Sequence, residues 1–234
     1  MNPVIIIPAY NHGEQIGPVI DDALQTGLPV IVIDDGSTDS TLSVAQQFTE
    51  ITVLHHQRNA GKGAALLTGF THAIEAGYDW AVTLDADGQH VPGDVVSLLH
   101  CVQDGQRCMV IGRRQGMDGD VHVPWTSRFG RGFSNFWVWV SGGAKVSDSQ
   151  SGFRLYPLPE VAQLEVKARR YQYEVEVLVK AQIRGIPIRE ADVQVVYQPK
   201  GKRVSHFRPW VDFMRNSVTF SRLITERIFG QHRS

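Results

Sequence analysis

The sequence predicts an α/β protein: a single domain on an open, mostly parallel sheet with helices on both faces, followed by an amphipathic C-terminal helix. Three observations lead there. Apolar strand-like runs alternate with helical stretches through the first half of the chain, the pattern of successive βαβ units. The residues directly after those runs are unusually polar, and open parallel sheets bind ligands at that edge. Finally, 234 residues with 42% hydrophobic and 9% aromatic composition can bury one large core, without internal repeats or low-complexity segments.

The first run, Val4-Ile5-Ile6-Ile7, is stopped by Pro8 and followed by Ala9-Tyr10-Asn11; it is too short for a signal peptide. A helical stretch near 14–26 leads to a second run, Val30–Ile33, which ends in Asp34-Asp35-Gly36-Ser37-Thr38-Asp39. Ser37 and Asp39 can cap a helix near 39–49. Asp34 or Asp35 can instead accept hydrogen bonds from a base or ribose, with Tyr10 stacking or hydrogen-bonding. The third run, Ile51–Leu54, precedes Arg58-Asn59-Ala60-Gly61-Lys62-Gly63. That stretch lacks the Walker spacing and the Ser/Thr after lysine, which excludes a P-loop. Either it is a surface turn, or Lys62, opening a helix near 62–76, lies close to substrate.

The fourth run, Trp80–Leu84, stops at Asp85-Ala86-Asp87 and is followed by Gly88-Gln89-His90. Side chains at i and i+2 of a strand share a side, so Asp85 and Asp87 can converge on one hard cation, Mg2+ or Mn2+. Two carboxylates this close repel unless something positive lies between them. Gln89 or His90 is a candidate further ligand, and the remaining positions fall to phosphate oxygens and water. An acidic turn capping the next helix, near 92–104, is the alternative. The fifth run, Met109–Ile111, ends in Gly112-Arg113-Arg114. Four strand ends carrying an aromatic, paired acids and arginines make one composite nucleotide site.

Net charge is -1, which argues against a nucleic-acid binder, but the charge is uneven. Residues 200–234 hold eight Lys/Arg against Asp212 and Glu226, a basic appendage on an acidic body spanning 1–199. No segment approaches the ~20 apolar residues of a membrane span. Cys101 and Cys108 lack zinc spacing and fit two unpaired thiols in a reducing cytoplasm.

Six ordered motifs resemble glycosyltransferase family 2, the inverting GT-A (Rossmann-like) fold, and within it the polyprenyl (dolichyl) phosphate sugar transferases. They are Ile7-Pro8-Ala9-Tyr10-Asn11, Val32–Asp39, Gly61-Lys62-Gly63-Ala64-Ala65, Leu84–Pro92, Asp148-Ser149-Gln150-Ser151-Gly152-Phe153-Arg154 and Tyr173-Glu174-Val175-Glu176. The resemblance covers residues 3 to 205. It implies that Pro8, Tyr10, Asp34 and Asp35 hold the nucleotide, that Asp85, Asp87 and Gln89 hold the metal, and that Arg113, with Arg128 or Arg131, contacts phosphates. The chain departs from the family where an acid usually follows the Tyr-Asn pair: His12 stands there, and Glu14 comes two residues later. Asn11, Glu14, Lys62 and Asp85 complete the expected sugar-nucleotide contacts.

The implied activity is transfer of a hexose from a UDP- or GDP-sugar to a lipid-linked acceptor, most simply a polyprenyl phosphate. A divalent cation stabilises the diphosphate leaving group. A phosphate monoester has a second pKa of about 6, so a lipid phosphate is already a dianion near neutrality and needs no general base. It needs arginines to orient it: Arg113, Arg114, Arg128, Arg131 and, in the basic loop Lys200–His206 that resembles a mobile acceptor loop, Arg203. A hydroxyl acceptor, the runner-up, would require a base, with Asp148 and Glu174 as candidates. A nucleotidyltransferase would carry a glycine-rich Arg signature where Pro8-Ala9-Tyr10 stands. A non-catalytic sugar-nucleotide sensor would have lost the metal acids, and both are present.

In a helix over Pro209–Phe229, residues Phe207, Trp210, Val211, Met214, Val218, Ile224, Ile228 and Phe229 share one broad face, with Arg208, Arg215 and Arg222 along its edge. Such a face suits peripheral contact with an anionic bilayer at the inner side of the cytoplasmic membrane. Packing on the domain, or on a second copy, gives the same pattern.

Overall fold

The computed structural model describes residues 1–102, 104–115, 125–196 and 209–230; the side chains of 125–129, 209–213 and 230 are outside that description. The basic loop containing Arg203 is outside the described residues, as are Phe207 and Arg208; Arg128 has a described backbone only.

Strands β1 (Pro3–Ala9), β2 (Val30–Asp34), β3 (Thr52–His55) and β4 (Trp80–Thr83) are separated by helices α1 (Ile16–Leu24), α2 (Thr41–Ala45) and α3 (Lys62–Glu75). They pair in parallel, β3-β2-β1-β4. Val4, Ile5, Ile6 and Ile7 of the inner strand β1 are all fully buried, because helices cover both faces of such a sheet and leave no solvated side. Their alternation divides the core in two. Val4 and Ile6 join the cluster of Phe70, Tyr156, Tyr173, Leu178 and Phe220. Ile5 and Ile7 join that of Ile16, Ile20, Leu98, Val110 and Phe153.

The second half breaks the simple βαβ progression. After α4 (Val95–His100) and β5 (Met109–Arg114), the long helix α5 (Trp125–Val140) leads to β6 (Arg154–Pro157), which lies between β4 and β5 and is antiparallel to both. Helix α6 (Tyr173–Ile183) then leads to β7 (Ile188–Val193), parallel to β5 on the sheet edge. Pairing with β7 extends β5 through Arg113 and Arg114, two residues the sequence puts beyond the strand.

Helix α7 (Pro209–Gly230) packs on α5 and α6. The packed face is Asn216, Thr219, Phe220 and Leu223, with Phe220 stacked on Trp137 at 6.3 Å. This is not the face the sequence singles out: Met214, Val218, Ile228 and Phe229 of the expected apolar face are exposed, as are Phe136 and Trp139 of α5. A few well-placed contacts and one ion pair, buried on its carboxylate side, fix the rotation of the helix in place of its broadest apolar stripe. The pair is Arg222 with Glu176 of α6, a fully buried carboxylate. Glu176 also accepts the Lys167 and Ala168 backbone N–H groups at 3.0 and 2.9 Å.

Glu176→Ala leaves two backbone donors and Arg222 without their acceptor, so it should lower unfolding free energy by about 3 kcal/mol in a urea titration. A change below about 1 kcal/mol would mean that Glu176 does not anchor α7.

Candidate active site

Most of the described candidate groups are delivered by strand ends and helix starts along the carboxyl edge of the parallel strands. The β1 and β2 ends are tied together. Asn11, in left-handed backbone at φ +53°, donates its N–H to Ser37 Oγ and accepts the Thr38 N–H. His12 N–H goes to Thr41 Oγ1, and Gly13 N–H to Asp39 Oδ2. Thus Ser37 and Asp39 join two loops, and Asp39 also accepts the Thr41 N–H at the start of α2. Pro8 lies in β1, Tyr10 is half-buried just beyond it, and Glu14 is exposed.

The two acids ending β2 differ. Asp35 accepts the Ala60 and Gly61 N–H groups at 2.9 and 2.7 Å and contacts His56 Nδ1 at 2.7 Å. It thereby holds the loop that begins α3. Gly61 stands there at φ +102°, a conformation open to glycine. Asp34 contacts Ser37 N–H and His55 Nδ1 through Oδ2, while its Oδ1 is buried with no hydrogen-bond partner among the described residues. Such an orphan acceptor is costly unless a ligand donor reaches it.

Because Asp35 fixes the start of α3, Lys62 projects into the centre of the edge. Its Nζ lies 2.5 Å from Asp85 Oδ1 and 2.5 Å from Glu174 Oε1, the latter in the first turn of α6. The Asp85 carboxylate rests on the Gly152 backbone: a Cβ at Gly152 would lie 2.4 and 2.5 Å from its two oxygens. His90 Nε2 stands 3.7 Å from Asp85 Oδ2. Burial alone would raise the Asp85 pKa, but Lys62 and then His90 outweigh it and hold the group well below the usual carboxylate range. Asp87 goes the other way, raised by burial and by the charge of Asp85. Its Oδ1 accepts the N–H of Gln89, a buried residue.

Among the described residues no three His, Cys, Asp or Glu side chains are gathered to hold a metal. Two carboxylates and an amide are nevertheless a donor set suited to Mg2+ or Mn2+, which keep most of their sphere for phosphate and water. The raised Asp87 marks negative charge that a cation would relieve.

Beside this acidic centre is a basic one. Arg114 grips the fully buried Asp148 with both arms of its guanidinium, at 2.7 and 2.8 Å. Burial raises the Asp148 pKa, yet its hydrogen bonds to Arg114, with the charges of Arg114 and Arg131, bring it below the usual range. Arg113, put forward by sequence, lies with its side chain against Asp192 of β7 at 2.5 Å, half exposed. Successive strand side chains diverge, so only one of the pair reaches Asp148.

Arg154 received no role from sequence, yet it organises the loop between the acidic and basic centres. Fully buried in β6, it donates to the backbone carbonyls of Ser151, Ser149 and Glu174 at 2.7, 2.7 and 2.8 Å. The signal was an arginine inside the apolar run Phe153-Arg154-Leu155-Tyr156. A charge in a buried strand must be satisfied.

Residues 4–157 match the family model described as Glycosyl transferase family 2. The chain belongs to glycosyltransferase family 2. As a family 2 glycosyltransferase it is 30% identical to a UDP-N-acetylglucosamine–dolichyl-phosphate N-acetylglucosaminyltransferase of Methanococcus voltae, over 82% of this chain and 85% of that protein. It is 29% identical to the polyprenol monophosphomannose synthase of Mycolicibacterium smegmatis, over 81% and 76%. With the undecaprenyl-phosphate mannosyltransferase of Micrococcus luteus it shares 28% identity over 86% of both chains.

Gly152→Ala drives a methyl group into the Asp85 carboxylate and should reduce turnover by roughly 100-fold while circular dichroism stays unchanged. Wild-type turnover in that variant would remove Asp85 from the site. Asp148 has a depressed folded pKa, so its stabilisation is present above the ordinary carboxylate range and lost as pH falls through the folded value. Asp148→Asn should therefore flatten the fall in melting temperature between about pH 6 and about pH 3; an unaltered slope would mean that the Arg114 pair does not stabilise the fold.

Proposed function

We propose that this glycosyltransferase moves a hexose, with inversion, from a UDP- or GDP-sugar to a polyprenyl phosphate, using Mg2+ or Mn2+. One observation carries the choice of a phosphate over a hydroxyl acceptor. Both carboxylates that could serve as general base are engaged by cations: Asp148 by Arg114 and Glu174 by Lys62. A hydroxyl acceptor needs a free base, and a phosphate dianion does not. The names of the relatives support the same acceptor class.

In this reading Asp85, Asp87 and Gln89 hold the cation, which when bound supplies charge stabilisation to the diphosphate leaving group. Asp34 offers its orphan oxygen to the base or ribose, and Tyr10 flanks it. Arg114 and Arg131, neighbours of Asp148, orient the acceptor phosphate beside the donor. Arg154 keeps the 149–152 loop, and with it the seat of Asp85, in one conformation, so that acceptor and donor meet with little reorganisation.

No helix among the described residues is long and apolar enough to cross a membrane. The exposed Phe136 and Trp139 of α5, with Met214, Val218, Ile228 and Phe229 of α7, support peripheral contact with a bilayer at its cytoplasmic face. Helix α5 also contacts the active-site loop, through Asn135 to Ser147 and Ser134 to Ser149. A lipid met there would have its phosphate close to Arg131.

Purified protein with labelled UDP- and GDP-sugars, undecaprenyl phosphate and Mn2+ should yield a labelled lipid, and chelation should abolish it. Glycosylation of a hydroxyl compound with no lipid product would overturn the acceptor assignment, and full activity in chelator the metal. The double variant Trp139→Ser, Val218→Ser should sediment less with anionic vesicles than wild type, with donor affinity unchanged. Equal sedimentation would discard the α5–α7 surface as the contact.

A further inference from the structure

Lys62 occupies an unfavourable place for a cation. It is the first residue of the 14-residue helix α3, where the backbone dipole presents its positive end, and its side chain is largely buried. Two carboxylates hold it there, Asp85 and Glu174, both at 2.5 Å and from different elements. One of them, Asp85, is also a donor of the cation site; the other is not. We propose that Lys62 is a built-in counter-ion that occupies the charge position of the divalent cation when the cation is absent, and that it competes with the cation for Asp85. This rests on the reading that Asp85 and Asp87 hold the metal.

Glu174 gives the competition its second state. When a divalent ion takes Asp85, the ammonium retains Glu174 as partner and need not be expelled unpaired into the protein. The lysine is thus shared between two acids in the cation-free enzyme and held by one in the loaded enzyme. The arrangement weakens the affinity of the free enzyme for metal, because ammonium and divalent ion repel within a few ångströms in a partly dehydrated site. It also keeps Asp85 seated on Gly152 before the ion arrives. Lys62 is a positioning residue here, acting through Asp85, and not a ligand of the metal.

The test is electron paramagnetic resonance titration of the ligand-free, full-length chain with Mn2+ alone. Lys62→Met should tighten Mn2+ binding by about tenfold or more, since a repelling charge has gone. Glu174→Gln should weaken it several-fold, since the lysine is left with Asp85 only. Effects of opposite sign separate competition from simple disruption, which would weaken both. If Lys62→Met fails to fold, Lys62→Met with Glu174→Gln removes both buried charges and should still bind more tightly than wild type. Asp87→Asn reports on the metal site itself and should abolish binding. If wild type binds Mn2+, Asp87→Asn does not, and neither lysine variant binds more tightly, the counter-ion proposal falls and the metal site stands. If no variant and no wild-type protein binds Mn2+, the metal reading falls and takes the proposal with it.

Discussion

Six carboxylates converge on the carboxyl edge of this sheet: Asp34 and Asp35, Asp85 and Asp87, Asp148 and Glu174. Two of the parallel strands, β2 and β4, run out into paired acids, and the loop before β6 and the first turn of α6 bring Asp148 and Glu174 to the same edge; uncompensated charges at this depth would repel and resist burial. The architecture around them is largely a set of solutions to that problem. Asp35 is satisfied by backbone amides of the loop before α3. Asp148 is satisfied by the fork of Arg114, and Asp85 and Glu174 share Lys62. Asp87, beside Asp85, is raised by burial and by its neighbour's charge, whereas Asp85 is lowered by Lys62.

The compensating contacts also set the geometry. Asp35 locates the start of α3 and hence Lys62; Lys62 brings the first turn of α6 to the end of β4. Arg154 binds three carbonyls around the same point, so the 149–152 loop cannot move without leaving buried acceptors unpaired. A second hub at Glu176, two residues beyond Glu174 on α6, joins α7 to the domain through Arg222. One helix therefore carries both Glu174 of the candidate site and the anchor of the C-terminal helix, so the seating of α7 and the candidate site share one element.

The fold was legible in the first half of the chain because its signals are local. Apolar runs of four or five residues, each stopped by polar or turn residues, predict strands that the structure places within a few residues of the expected limits. The second half was harder. Strand β6 is only four residues long, and nothing near it says that it will lie antiparallel between β4 and β5. The choice between Arg113 and Arg114 rested on how far β5 continues, which is decided by pairing with β7, 79 residues away. The face that α7 buries was not legible because periodicity measures apolar breadth, whereas the packed side is set by Phe220, Leu223 and the Arg222 pair.

By itself the sequence determined the fold class, the family and the kinds of atoms available at the edge: paired acids, an aromatic and arginines. Those follow from residue type and short spacing, because strand period and turn chemistry act over a few residues. Only the tertiary structure decided which acid is tied to which cation. Lys62 meets Glu174 across 112 positions of sequence, and Arg114 meets Asp148 across 34. Such pairings depend on where the sheet order and helix packing set each backbone, to within the few ångströms over which an ion pair in a partly buried site gains more than desolvation costs.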